Sequence, residues 1–158
     1  MADFLFQKTL IIGVGLIGSS IARALSKNKA SSEVYGIDTN DEVITKCENL
    51  NILKSCKKNI HDFSTQFDLI IICSPLSTYK KIFSELNDFV KQSTLIADVG
   101  STKVSTIKDY KEMCKSLELF YNQKCYMGLK APPQSMKVGI LEVHHLFGKE
   151  DALRLISL

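Results

Sequence analysis

The stretch TLIIGVGLIGSSIARAL, Thr9 to Leu25, constrains this chain more than any other. Its glycines, Gly13, Gly15 and Gly18, are spaced G-x-G-x-x-G. Before them lies the apolar run Thr9-Leu10-Ile11-Ile12, which reads as a strand buried on both faces and stopped by glycine. After them Ile17, Ile21 and Leu25 recur at helical spacing, which predicts a helix opening at the loop. Val34-Tyr35-Gly36-Ile37 then predicts a second strand ending at Asp38. Such a strand, helix and strand need a crossover, which in a parallel sheet is right-handed.

The same alternation continues. Asp41 is placed to cap a helix reaching about Asn49, and a weak strand is expected near Ile52. Asp68 to Cys73 predicts a strand broken by Ser74-Pro75. Ser77 is expected to cap a helix with Ile82, Leu86 and Phe89 on its apolar face, Tyr79 and Phe83 beside it. Thr94 to Val99 predicts a strand stopped by Gly100, and Ser101 or Thr102 opens a helix to about Leu117. Beyond Leu117 the pattern weakens. Leu119-Phe120-Tyr121 suits a sixth strand, Ala131-Pro132-Pro133 interrupts, and 138–158 suits a helix only poorly. The expected fold is α/β, a Rossmann-type doubly wound parallel sheet, with residues 1–118 as the nucleotide-binding domain and 119–158 as an atypical tail.

The glycine spacing gains meaning from Asp38, twenty positions after Gly18. Gly13 permits the tight turn, Gly15 lets backbone approach a pyrophosphate, and Gly18 lets the helix pack on the sheet. The helix N-terminus presents N–H groups to phosphate without a loop lysine. A carboxylate at Asp38 accepts from ribose hydroxyls and repels a 2′-phosphate, and Thr39 and Asn40 beside it supply no arginine. NAD is therefore expected rather than NADP. The expected cofactor contacts are Gly13, Gly15, Leu16, Ile17, Gly18, Asp38, Cys73, Ser74 and Pro75, the last three because ligands lie outside the carboxyl ends of strands. At Ser101 a helix cap and a substrate contact stand as alternatives; Ser77 reads as a cap.

Composition excludes other classes. The formal charge is only +3, with lysines scattered, so no nucleic-acid partner is expected. The five cysteines form no C-x-x-C and no spacing with histidine that suggests a metal, so free thiols in a reducing compartment are expected. No signal peptide and no apolar run near the ~18 residues of a membrane span is found, which makes a cytoplasmic protein the default.

IIGVGLIGSSIARAL, VYGIDTN, DLIIICSPLSTY and LIADVGSTK together resemble the prephenate/arogenate dehydrogenases of tyrosine biosynthesis, over roughly residues 8–110. The resemblance implies NAD-dependent oxidation of a ring alcohol with loss of the ring carboxylate as carbon dioxide. It implies a substrate contact at Ser101, in the D-V-G-S turn. It also implies a catalytic histidine in a His-Pro-x-x-Gly turn, and no His-Pro occurs here. His61 is expected at the surface, and His144 and His145 inherit no catalytic role, so no catalytic residue is assigned. The family's second, all-helical domain carries a substrate-binding arginine and most of a homodimer interface, and the sequence ends at Leu158 before it. A shifted reading frame after about 119–130 would account for the lost pattern, and turnover by this polypeptide alone is not expected. A non-catalytic NAD-binding module and another NAD-dependent hydroxyacid or imine reductase are the alternatives.

Overall fold

In the computed structural model, residues 4–86, 89–90, 94–100, 108 and 126–128 are described. Strand β1 is Phe6–Ile12, helix α1 Leu16–Lys27, β2 Ser31–Ile37, α2 Asp41–Asn49, β3 Ser55–Lys57, β4 Leu69–Ile72, α3 Tyr79–Leu86, β5 Leu95–Asp98 and β6 Tyr126–Gly128. The sheet order is β3-β2-β1-β4-β5-β6, and the neighbouring strands pair in parallel. The order reverses between β1 and β4. That switch leaves a crevice at the carboxyl ends of the two strands, where doubly wound sheets take their ligands.

The buried strands carry apolar residues on both faces, as a sheet covered by helices requires. The two faces are packed differently. One joins Ile11, Val14, Ala22, Leu25, Ala30, Cys47 and Cys56 under α1 and α2. The other is aromatic, with Tyr35, Phe63, Phe67, Tyr79 and Phe83 in edge-to-face contacts of 5.5–6.0 Å. Gly18 on the buried face of α1 lets that helix approach the first face closely, and rings fill the second.

Several local expectations need correction. The cap of α2 is Asn40, whose side chain accepts from Glu42 N–H at 2.9 Å, and Asp41 is the first helical residue. The third strand forms at Ser55–Lys57, not near Ile52, because Tyr35–Ile37 of β2 pairs there. Ser77 caps nothing: it lies inside a 3-10 turn, Leu76–Thr78, launched by Pro75, and α3 starts at Tyr79. On α1 the buried face is Gly18, Ala22 and Leu25, whereas Ile17 is 52% exposed. The helix expected after Ser101 falls outside the described residues except Lys108, which is helical. The strand expected at 119–121 and the helix at 138–158 also lie outside them. The sixth strand is Tyr126–Gly128, with Ile96 opposite Tyr126 and Asp98 opposite Gly128. Among the described residues no helix is long and apolar enough to cross a membrane.

Candidate functional site

The glycine loop joins β1 to α1 at the switch. Gly13 has φ +91°, a conformation that a side chain disfavours, and a Cβ there would lie 2.9 Å from the Ser74 backbone nitrogen and 3.0 Å from the Cys73 carbonyl carbon. The loop therefore rests directly on the turn after β4, and Cys73-Ser74-Pro75 sits beside it. A Cβ at Gly18 would lie 2.1 Å from the Gly13 carbonyl oxygen and 3.0 Å from Ile11 Cγ2. Only a glycine lets α1 start this close to the strand that precedes it. At Gly15 an added Cβ would meet nothing within 4 Å. The open space lies over the loop, where a ligand's approach needs it.

The start of α1 suits an anion. Its cap is Gly15, which makes no side-chain capping bond, and no acidic residue occupies the first turn. The N–H groups there keep their positive end of the helix dipole. Leu16 and Ile17 are 87% and 52% exposed beside it. Exposed aliphatic residues at that point border the same open space.

Asp38 follows β2 at the loop's flank. Its Oδ2 accepts from Val14 N–H at 2.9 Å, and its Oδ1 from Asn40 N–H at 3.0 Å. The carboxylate is thus fixed by backbone on both sides, half-buried, with lone pairs left over for a ligand. Its spacing in the sequence found the residue. The hydrogen bond that fixes it to the glycine loop came from the fold.

Asp38 opens on a cleft of about 230 Å³. The floor is Ile12, Gly13 and Ile37 at the strand ends, and Pro75, Ile82 and Leu86 form the opposite wall. Lys58, Lys81 and Glu85 also line it. Sequence reasoning missed these charged residues, because nothing local marks the turn after β3 or the outer face of α3 as lining a cleft. Lys58 Nζ lies 2.8 Å from the Asp41 carboxylate. Ser74 Oγ and Thr78 Oγ1 are 2.9 Å apart, and Thr78 donates to the Pro75 carbonyl at 2.7 Å, so Ser74 is the donor of the first bond. That pair rigidifies the turn after β4.

The structure thus brings Gly13, Gly15, Leu16, Ile17, Gly18, Asp38, Cys73, Ser74 and Pro75 to one end of the sheet. Ser101, His144 and His145 lie outside the described residues. His61 is exposed and packs edge-on against Phe89, 5.0 Å between centroids, in line with its expected surface place. Burial pushes the Cys73 thiol up to about 12, with the Asp98 charge adding to it. At neutral pH it is a protonated, weakly nucleophilic thiol at the turn after β4.

Comparison with known proteins agrees with this geometry. The model of the prephenate dehydrogenase nucleotide-binding domain matches residues 21–121. That match begins after Gly18, so the glycine loop is independent support from outside the matched region. A cyclohexadienyl dehydrogenase of Zymomonas mobilis is 33% identical over 103 residues, 65% of this chain and 35% of that protein. A prephenate dehydrogenase of Lactococcus lactis is 35% identical over 103 residues, 65% of this chain and 28% of that protein. The chain therefore spans about a third of the length of the curated relatives it matches. The crystal structure of prephenate dehydrogenase from A. aeolicus in complex with hydroxyphenyl propionate and NAD+ superposes with a TM-score of 0.65 at 29% identity, over 77% of this chain and 40% of that one. With most of its length matched by the family's domain model and its sheet superposing on a family structure, the chain belongs to the prephenate dehydrogenase nucleotide-binding domain family.

Proposed function

We propose that residues 1–118 carry the NAD site of a prephenate- or arogenate-type dehydrogenase. The observation that carries this reading is the bond from Val14 N–H to Asp38 Oδ2, at 2.9 Å, which locks the ribose-type carboxylate to the glycine loop over an open cleft. The residues fit the cofactor. The first turn of α1 and Gly15 take the pyrophosphate, Leu16 and Ile17 flank it, and Asp38 accepts from the adenosine ribose hydroxyls. The 230 Å³ cleft between Ile37, Pro75 and Ile82 takes the adenine, whose flat apolar faces suit those walls. Cys73, Ser74 and Pro75 border the point where the cofactor crosses to the second half of the sheet.

Bound NAD supplies a hydride acceptor. What the chain's residues contribute is binding and orientation, which alone are worth a large part of a barrier. Ser101 follows Gly100 in the sequence, and its hydroxyl is proposed as a substrate contact. No His-Pro turn is present in the sequence, and no other residue is assigned to polarise the substrate hydroxyl. The 158-residue polypeptide is therefore proposed to hold NAD without turning over prephenate or arogenate by itself.

A preference for NAD rests on Asp38. Lys58 also faces the cleft, but Asp41 pairs it, and the Asp38 carboxylate is the charge nearest the loop. Thermal denaturation with each nucleotide tests the reading. At a hundredfold excess over Kd, NAD should add about 2.7 kcal/mol of stability, and NADP far less. Equal shifts with both, or none with either, would overturn it.

A further inference from the structure

Asp98 is the last residue of β5 and is fully buried, with a relative exposure of 0%. A carboxylate in that position is costly to desolvate, and an apolar residue would fill the same place without that cost. Its neighbour across the ladder, Ile72, is apolar and equally buried. The carboxylate is held by two described donors. Tyr79 OH donates to Oδ2 at 3.2 Å, and Gly100 N–H donates to the same oxygen at 2.8 Å. Tyr79 is itself fully buried, at the first position of α3. Its hydroxyl also approaches the Ile72 carbonyl, at 3.5 Å. One phenol thus ties the end of β4, the end of β5 and the turn leaving β5.

The turn is clamped closely. A Cβ at Gly100 would lie 2.7 Å from Asp98 Oδ2, 2.8 Å from Leu76 Cδ2 and 3.1 Å from Tyr79 Oη. The backbone that follows β5 is therefore seated on this pair, with no room for a side chain between. Burial, and then the Asp98 charge, push the Tyr79 phenol well above its ordinary range, so it stays a hydrogen donor.

Position gives the pair a role. On the NAD-site reading Asp38, just after β2, would hold the adenosine end of a dinucleotide on the β1–β2 side of the switch. The other nucleotide half then lies over the carboxyl ends of β4 and β5. We propose that Tyr79 and Asp98 are positioning residues for the nicotinamide half of the cofactor: they set the turn after β5 against which that half is oriented. This rests on the NAD-site reading above.

The experiment compares two ligands on the full 158-residue chain. NADH binding is read by its fluorescence and ADP-ribose binding by calorimetry, for the wild type, Tyr79→Phe and Asp98→Asn. Tyr79→Phe keeps the ring that fills the core and removes only the hydroxyl. It should bind ADP-ribose within about twofold of wild type and NADH roughly tenfold more weakly, the equivalent of one hydrogen bond to a charged group. Asp98→Asn should change the ratio in the same direction; if it does not fold, Tyr79→Phe still decides. Parallel losses for both ligands would reduce the pair to a structural role and overturn the proposal, as would no change in either. A wild-type chain that binds neither ligand would instead overturn the NAD-site reading, and the proposal with it.

Discussion

The two halves of the sheet build their ligand-facing ends in opposite ways. On the β1–β2 side the working groups are backbone, left open by missing side chains: Gly15 faces empty space and the first turn of α1 has no side-chain cap. The polar side chain there, Asp38, is half-buried at the edge of a cleft. On the β4–β5 side the corresponding strand end carries Asp98, fully buried and bonded to Tyr79 and Gly100. One half leaves its charge at the edge of an open cleft. The other encloses its charge and uses it to fix the backbone. A site of this kind needs both, because a flexible two-part ligand gains affinity only when each part meets a surface already in place.

The sharpest way to break the first half is Gly18→Val. Its Cβ would fall 2.1 Å from a backbone oxygen, which no rotamer change relieves. We expect a loss of about 3 kcal/mol or more in urea denaturation, and loss of NAD-dependent stabilisation as α1 shifts. A variant as stable as wild type would show that the helix can move away from β1 freely, and the close-packing account of this half would fail.

The difference between the halves also explains what the sequence revealed. Gly13, Gly15, Gly18 and Asp38 lie in or beside one strand-helix-strand unit, so the roles expected of them could be read from spacing and local context. Asp98 and Tyr79 are 19 residues apart, and α3 starts at Tyr79, one residue later than a Ser77 cap implies. Pro75 causes that offset by launching a 3-10 turn first. Register, a non-local property, decides the short strand β3: Gly36 pairs with Cys56, which places the strand three residues beyond Ile52. At α2 both Asn40 and Asp41 are good caps by type, and backbone geometry chose Asn40. Lys58 became visible as a cleft residue only once β3 had been placed beside β2. Type and spacing fix what a segment is; pairing and offset fix what it touches.

Gly15→Ala sharpens the comparison from the opposite direction, with a smaller effect. The residue has φ −71°, which alanine adopts, and the added methyl meets nothing within 4 Å. Stability should change by less than about 1 kcal/mol, the cost of a poorer helix cap. NAD affinity should nonetheless fall by about tenfold or more, since the methyl occupies the space the pyrophosphate needs. Gly18→Val would then damage fold and binding together, and Gly15→Ala binding alone. If Gly15→Ala binds NAD as wild type does, the open space over the loop is not the phosphate seat.

The mildest test uses a property the halves share. Each holds a thiol, Cys56 buried within β3 and Cys73 half-buried just after β4, and desolvation raises both from an ordinary 9.0 to about 12. Cys47 charge also contributes at Cys56, and Asp98 charge at Cys73. Between those values the folded chain keeps protons that the unfolded chain releases, so unfolding is favoured as pH rises. Stability should be level to pH 8 and should fall from about pH 9 upward. Among the described residues the window from 9 to 10 belongs to the thiols, because Tyr35 and Tyr79 start from 10.0 and Lys54 from 10.5 before they too are raised. For Cys73 the loss at pH 9.5 should stay below about 1 kcal/mol. Urea midpoints at pH 8, 9 and 9.5 measure the slope, and Cys73→Ala should flatten it in part, leaving the shares of Cys56 and of Cys47, which burial also raises. A slope that Cys73→Ala leaves untouched would mean that the β4 thiol ionises freely in the folded chain. The turn after β4 would then be open to water, and the contrast between an open first half and an enclosed second half would not hold at Cys73.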